Sequence, residues 1–226
     1  MPGNLNPVKK SAKNRSAATP PSPSRQRIRT EATRKKLLDS AEQIFARDGF
    51  EAARLEDIAS MAGYTRGAFY ANFESKEECF LAAFDTLVGH VRELVEAAVE
   101  AEPDWPHQAI AAARSTLAFL AAEPDLARLC LVEAQSAGPE VAAHFHAAVR
   151  ELVPPLRLGR GERPRGRELP ESTEDSALGA IVSLASRKVA AGEAAALEDL
   201  LPDVAEFILA PYLGPDEATR LARPPA

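Results

Sequence analysis

The sequence has few of the features that mark secreted, membrane or zinc-binding proteins. Its two cysteines, Cys79 and Cys130, lie far apart without a CxxC spacing, which argues against a disulfide framework and a zinc site. Both thiols are expected to pack as small apolar groups. No apolar run approaches the eighteen or more residues of a membrane span, and the basic N-terminus leads into TPPSPS instead of an apolar signal core. These absences predict a cytoplasmic protein.

Motifs for catalysis are also missing. The chain has no HExxH run, no phosphate loop and no nucleophile with a partnered base. His144 and His146 are two positions apart, so they would point in different directions from a helix and make a poor metal pair. We therefore predict no catalytic residue, no metal site and no cofactor. A helical enzyme with scattered catalytic residues stays open as an alternative.

Charge is divided unevenly along the chain. Up to Lys76 there are fourteen Lys and Arg against eight Asp and Glu, and beyond it thirteen against twenty-five. A basic end on an acidic body has the electrostatics of a DNA-docking head joined to a body that stays off DNA. The formal net charge of −6 therefore does not count against nucleic-acid binding.

The segment Leu55–Lys76 has the pattern of two short helices that meet at a glycine and lead into a long third helix. Gly63 is expected to end the first helix in the left-handed conformation, and Thr65 to cap the second. Phe69 then points to the core while its neighbours point elsewhere. The apolar face of the first helix consists of Leu55, Ile58, Ala59 and Ala62. A pair joined by so short a turn is the unit that places its second helix in a major groove.

The same spacing also occurs in helical proteins that bind no nucleic acid, so the chemistry of the second helix has to decide. Its interior Gly67 costs roughly 1 kcal/mol relative to alanine, and close approach of a DNA backbone is a sufficient reason to tolerate that loss. Arg66 is predicted to read a base edge and Ala68 to touch a thymine methyl. The complete set of predicted DNA-binding residues is Arg54, Thr65, Arg66, Gly67, Ala68, Tyr70, Asn72 and Lys76.

Many coupled positions give this segment a family resemblance. Between Arg34 and Phe84 they are an amphipathic run ending in RDGF, then DIA, AG, TRGAFY, NF and SKEE. The segment resembles the N-terminal domain of the TetR/AcrR family of bacterial transcriptional regulators. One position departs from the pattern, because Ala53 and Arg54 stand where similar proteins carry a Ser or Thr cap. The lost cap typically costs about 1 kcal/mol, and we expect Arg54 to contact a phosphate through its charge.

The whole chain is predicted to be all-α, with an N-terminal three-helix DNA-binding domain, a long connecting helix and a C-terminal helical ligand-binding and dimerisation domain. The predicted parts are a disordered basic arm at 1–29, a TetR-type domain at 30–76 with its helix-turn-helix at about 54–73, a C-terminal effector-binding and dimerisation domain at 77–213, a flexible loop at about 154–171 and a tail at 214–226. The arm lacks the apolar residues that would order it, and the loop is rich in glycine, proline and arginine.

The resemblance also implies a ligand and a partner. A small-molecule effector would enter the helical body, and candidate lining residues are Phe84, Trp105, Phe119 and Phe145. Aromatic residues at helical spacing are, however, more often plain core than ligand contacts. The last two helices, at about 172–191 and 197–213, are expected to form a homodimer, the alternative being that they complete the monomer's core.

Three functions follow from these observations. The leading one is a ligand-responsive regulator, most simply a repressor that binds a palindromic operator as a homodimer and is released by its effector. The second is an activator or architectural DNA-binding protein without an effector. The third is the helical enzyme. Only the first two use the helix-turn-helix pattern.

Overall fold

The computed structural model describes residues 25–162 and 164–223, and all regular structure in these ranges is helical. The predicted all-α class is therefore confirmed. The α-helices are α1 Arg25–Ala52, α2 Leu55–Met61, α3 Arg66–Tyr70, α4 Lys76–Glu100, α5 Trp105–Ala122, α6 Pro124–Arg128, α7 Ala134–Ser136, α8 Pro139–Arg150, α9 Val153–Arg157, α10 Thr173–Ala190, α11 Leu201–Leu213 and α12 Pro215–Ala222. A π-helical segment, Leu129–Glu133, joins α6 to α7, and four 3-10 segments are Leu158–Gly161, Pro164–Glu168, Ala194–Ala196 and Glu198–Leu200.

Phenylalanines form the centre of the N-terminal head, which comprises α1 to α3 and the first turns of α4. Phe45 and Phe50 each meet the edge of Phe80, with ring centroids 5.1 and 5.2 Å apart. Phe69 and Phe73 lie 5.4 Å apart and are also buried. Full burial of such a side chain contributes roughly 1.5–3 kcal/mol, so these five rings account for much of the stability of a small head.

The long helix α4 connects the head to the body. It begins after Ser75, whose hydroxyl accepts a hydrogen bond from the Glu78 amide at 3.0 Å. Its buried face starts at Cys79 and ends at Leu87, and at about 1.5 Å per residue its 25 residues extend nearly 40 Å. Burial raises the pKa of the Cys79 thiol to about 12, which suits the packing role predicted for it. No described helix combines the length and apolar character needed to span a bilayer.

A second connection between head and body lies at the end of α1. Gly49 interrupts that helix with φ of +79°, and the freed amide of Phe50 donates to Glu133 Oε2 at 3.0 Å. Glu133 belongs to the π-helical segment, is buried, and pairs with Arg128 at 3.0 Å. The body therefore supplies the hydrogen-bond acceptor for a backbone group of the head.

The prediction of a disordered arm at 1–29 is wrong for its last five residues, while residues 1–24 lie outside the described ranges. Helix α1 begins at Arg25, not near Thr30. The last proline of this region is Pro23, and no helix-breaking residue follows it before Gly49. The hydroxyl of Thr33 donates to the Arg29 carbonyl at 2.9 Å, one turn back along the same helix.

The prediction of a flexible loop at 154–171 is also wrong. Apart from position 163, which lies outside the described ranges, the segment contains α9 and two 3-10 segments, and Arg160 joins it to α10. The Arg160 guanidinium donates to both carboxylate oxygens of Glu174, at 2.7 and 2.8 Å, and to the carbonyls of Leu169 and Pro170. One charged side chain thereby orders a stretch that its glycines and prolines would otherwise leave irregular.

The carboxylate of Glu174 is fully buried at the centre of this network. Tyr212 on α11 donates to Glu174 Oε1 at 2.9 Å. Desolvation opposes ionisation, but the hydrogen bonds from Arg160 and Tyr212 outweigh it and lower the pKa of Glu174. Burial and the bond to Glu174 raise the pKa of Tyr212. Glu174 thus remains a carboxylate and joins three parts of the body.

The residues predicted as a tail, 214–226, include a helix. Gly214 turns the chain with φ of +89°, and α12 packs on α11 with Ala218 fully buried. Thr219 donates to Glu206 at 2.9 Å, and Arg223 pairs with Asp203 and Glu206. An apolar face and complementary charges therefore fix a segment that was too short to be recognised from sequence.

The packing of Gly159 against the Trp105 ring can be tested by substitution. A Cβ at Gly159 would lie 2.3 Å from the Trp105 ring, whereas a Cβ at Gly161 would meet nothing within 4 Å. Gly159→Ala should therefore displace the ring and lower the free energy of unfolding by about 1–3 kcal/mol, and Gly161→Ala should not. Because Trp105 is the only tryptophan, its fluorescence reports the displacement directly. Equal stability and equal spectra for both variants would contradict this packing.

Candidate nucleic-acid interface

The turn between α2 and α3 depends on Gly63. Its φ is +76°, a conformation that costs glycine little, and its amide donates to the Ser60 carbonyl at 3.0 Å. The Tyr64 amide donates to the Ala59 carbonyl at 2.8 Å, which closes the end of α2. Four residues separate the two helices, so the predicted helix-turn-helix is present.

Helix α3 presents its polar side chains to solvent because one aromatic residue anchors it. The Thr65 hydroxyl caps its start, accepting from the Ala68 amide at 3.3 Å, as predicted. Phe69 is completely buried, and this orientation leaves Arg66, Gly67 and Tyr70 exposed.

Gly67 has room for a side chain within the protein. A Cβ there would contact only the Thr65 hydroxyl, at 3.7 Å, and the backbone is helical. The packing of this chain therefore gives no reason for a glycine at the position. A glycine here lets an approaching surface come close to the backbone of α3.

Arg66 is held on two sides. Its Nη1 lies 2.8 Å from Glu56 Oε1, on α2, and its Nη2 donates to the Tyr70 hydroxyl at 3.2 Å. The guanidinium carbon lies 5.4 Å from the centre of the Tyr70 ring. The hydrogen bond to Tyr70, followed by the charge of Glu56, raises the pKa of Arg66.

Arg54 stands directly before α2 and makes no capping hydrogen bond from its side chain, as predicted. Glu56 and Asp57 follow in the first turn, where negative charge interacts favourably with the helix dipole and offsets part of the lost cap. The Arg54 side chain is exposed at the start of α2. It is therefore placed to contact an approaching anion.

Two residues predicted to bind DNA have partners inside the head. Lys76 Nζ donates to the Phe50 carbonyl at 2.7 Å and lies 4.4 Å from the centre of the Phe50 ring. The Asn72 side-chain amide donates to the Ala68 carbonyl at 2.8 Å at the end of α3, and the Asn72 backbone carbonyl accepts from Arg34. Both residues brace the helices that carry the exposed face, and their contact with DNA stays a prediction.

Sequence reasoning missed Glu56 and Arg34. Glu56 gives a recognisable signal as an acid in a first helical turn, but its spacing does not show that it faces Arg66. Arg34 lies over the Phe73 ring at 4.1 Å and 3.8 Å from Glu78 Oε1. Nothing in the pattern of α1 distinguishes it from its basic neighbours.

The four predicted effector residues lie on three helices, α4, α5 and α8. Phe84 on α4 and Phe145 on α8 have ring centroids 6.2 Å apart and are buried. Trp105, at the start of α5, packs against Tyr212 at 4.8 Å and donates to the Pro155 carbonyl at 3.0 Å. Phe119 is partly buried against the core. Their role in ligand binding stays a prediction.

Two surface depressions have other linings. The larger lies between the 153–168 segment, α10 and α11, and is lined by Arg165, Pro170, Ser172, Thr173, Ser176, Ala177, Phe207, Ala210, Pro211 and Pro215. The smaller lies between α8, α9 and α10, and is lined by His146, Val149, Arg150, Val153, Asp175, Leu178 and Gly179. Neither includes the four aromatic residues named above.

The described residues include no group of three or more His, Cys, Asp and Glu side chains arranged to hold a metal ion. His144 and His146 do not act as a pair, because His144 Nε2 lies 2.6 Å from Asp85 Oδ1 and His146 lines the smaller depression. His144 also meets the edge of the Phe84 ring at 5.8 Å. Its contacts are those of an exposed surface pair.

Comparison with known sequences identifies the head. Residues 37–83 match the bacterial regulatory proteins of the TetR family. The transcriptional repressor KstR2 of Rhodococcus jostii is 36% identical over 96 residues, which cover 38% of this chain and 47% of the repressor. The transcriptional regulator TtgR of Pseudomonas putida is 42% identical over 55 residues, 24% of this chain and 26% of the regulator. The chain spans about half or less of the length of these curated relatives.

Solved structures match over most of the chain. The fatty acid degradation regulator FadR from Bacillus halodurans has a TM-score of 0.69 at 20% identity, over 77% of this chain and 97% of that one. FadR from Bacillus subtilis, in complex with stearoyl-CoA, has a TM-score of 0.64 at 18% identity, over 80% and 98%. At these identities the likeness concerns the fold, and it covers both head and body.

Proposed function

The chain belongs to the TetR/AcrR family of bacterial transcriptional regulators, and on that basis we propose that it is a cytoplasmic repressor whose operator affinity is changed by a small-molecule effector. The members compared with it regulate transcription, and family membership argues against an enzyme. The observation that carries the proposal is the orientation of α3. Its buried Phe69 leaves Arg66 and Tyr70 exposed beside Gly67, where the protein has room for a side chain.

We assign DNA reading to residues 30–76, with α3 in the major groove. Arg66 contacts a guanine edge and Ala68 a thymine methyl, while Thr65, Tyr70 and Arg54 contact phosphates. The start of α4 adds backbone amides and the positive end of a helix dipole near Ser75. The net positive charge up to Lys76 favours this end over the acidic body.

We assign dimerisation to α10 and α11. Phe207 on α11 is 50% exposed, and the neighbouring Asp203 and Glu206 pair with Arg223, which follows α12. Between the exposed charged residues Asp175 and Arg187, the exposed residues of α10 are small, namely Ser176, Gly179, Ala180 and Ser183. Small residues allow helices to approach closely, and an exposed aromatic residue beside them suits a two-fold contact. Such a dimer would read half-sites roughly 34–36 Å, or a multiple of that distance, apart on a near-palindromic operator.

We assign effector binding to the helical body at 77–213. The Bacillus subtilis neighbour is described with stearoyl-CoA, so a long-chain acyl-CoA is the first ligand to test. Phe84 and Phe145 are packed against each other, and Trp105 against Tyr212, so a ligand that used these rings would have to displace their present partners. Effector binding can change operator affinity only by its different affinity for the DNA-bound and free arrangements.

The test is sequencing of oligonucleotides selected from a random pool by the purified protein. We expect a near-palindromic site, a dimeric mass, and weaker operator binding when stearoyl-CoA or another acyl-CoA is added. If no sequence were enriched over competitor DNA at moderate salt, the proposal that the protein is a regulator would be wrong. A selected site whose affinity no small molecule changes would favour the effector-independent activator or architectural protein.

A further inference from the structure

Glu56 lies on the surface proposed to read DNA and is bonded to the proposed base reader. Its Oε1 is 2.8 Å from Arg66 Nη1 across the turn between α2 and α3. Tyr70 holds the other side of the same guanidinium. Arg66 is therefore fixed between a carboxylate and an aromatic ring in the protein without DNA.

Folding stability gives little reason for this pair. The two side chains are 60% and 46% exposed, and ion pairs so open to solvent contribute little to folding. Asp57, the next residue, supplies an equivalent negative charge to the first turn of α2. The position of Glu56 is thus better explained by what it does to Arg66 than by what it does for the helix.

We propose that Glu56 is a positioning residue that lets Arg66 read bases while weakening its attraction to phosphates, an inference that rests on the DNA-binding function proposed above. The carboxylate of Glu56 and the guanidinium of Arg66 together carry no net charge. The pair therefore attracts DNA phosphates less strongly than Arg66 alone would. Non-specific binding depends on that charge, because it is driven by neutralised phosphates and released counterions.

Base reading depends on hydrogen bonds instead. A guanidinium has five N–H groups, of which Glu56 and Tyr70 each engage one, so three remain. A guanine edge carries no net charge and offers two acceptors, O6 and N7. Glu56 therefore discriminates against phosphate while leaving donors for a base, and Tyr70 fixes their direction.

The experiment compares Glu56→Gln with Asp57→Asn. Both remove one negative charge from the same helical turn, but only the first touches Arg66. Affinity is measured for the selected operator and for a random duplex across a salt series. Glu56→Gln is expected to bind the random duplex more tightly, to steepen the slope of log affinity against log salt by about 0.9 for each protomer in contact with the duplex, and to lose roughly three- to tenfold of its operator preference. Asp57→Asn should change each quantity less.

Each variant is also made in an Arg66→Ala background, with far-ultraviolet circular dichroism and dimer mass as checks on folding. If Glu56 acts through Arg66, the two acidic substitutions become equivalent there. Equal effects in the native background, or an undiminished Glu56→Gln effect in the Arg66→Ala background, would overturn the inference. Absence of any preferred site for the unaltered protein would instead overturn the proposed function, and the random-duplex salt slopes would still decide whether Glu56 screens Arg66.

Discussion

In the Arg66→Ala variant, preference for the selected operator over a random duplex is expected to fall by roughly 30-fold or more. A bidentate contact to guanine contributes about 1–3 kcal/mol, and a two-fold dimer would lose two of them. Arg66 lies on the exposed face of α3, and the core residue of that helix is Phe69. The substitution should therefore leave the helical content and the dimer mass unchanged. Titration of the labelled operator and of the labelled random duplex with protein gives the two affinities and their ratio.

A matched control is Lys35→Ala, which also removes one exposed basic side chain from the head. Lys35 pairs with Asp39 along α1 at 3.0 Å and lies on a helix to which no DNA contact is assigned. It should leave the operator preference almost intact. Persistence of the preference in Arg66→Ala would show that another residue reads the base.

Replacement of Glu174 by alanine is expected to lower the free energy of unfolding by about 3 kcal/mol. Removing one partner of a buried ion pair costs about 3–5 kcal/mol, and the lower value applies because the Arg160 side chain is 23% exposed. The Tyr212 hydroxyl would also lose its acceptor. For a chain of this size the melting temperature should fall by about 6–12 °C. Thermal unfolding followed by circular dichroism measures the change.

The exposed Glu168 supplies the control, because Glu168→Ala removes a carboxylate from the same region without entering the network. The difference between Glu174→Ala and the unaltered protein should also depend on pH. The folded pKa of Glu174 lies below its ordinary value of 4.5, so its stabilising contribution is complete above pH 4.5 and is lost as the pH falls through the folded pKa. A difference in melting temperature that persisted undiminished at lower pH would contradict the ionised network.

Local features of the sequence predicted the geometry of the helix-turn-helix well. The left-handed Gly63, the Thr65 cap and the buried Phe69 each depend on residues within four positions, so their spacing is informative. The order of α2, α3 and α4 follows from them. The same reasoning correctly predicted that Arg54 would not cap α2.

Contacts between distant residues were not predictable in this way. The glycines near residue 160 suggested a loop, yet a Cβ at Gly166 would lie 2.9 Å from the Arg160 backbone, so close packing explains that glycine. The acid that binds Arg160 is fourteen residues away, and many other acidic residues were equally available. Glu56 and Arg66 meet only because a turn of known geometry brings two helix faces together.

Glu133 couples the head to the helical geometry of the body. The carboxylate that receives the Phe50 amide lies in a π-helical segment, and one residue fewer in that turn would carry it about 100° around the helix axis. A buried amide that loses its acceptor destabilises the structure by roughly 1–3 kcal/mol. Rewinding of these five residues would thus break the hydrogen bond to the Phe50 amide, beside Gly49, where α1 is interrupted before α2 and α3.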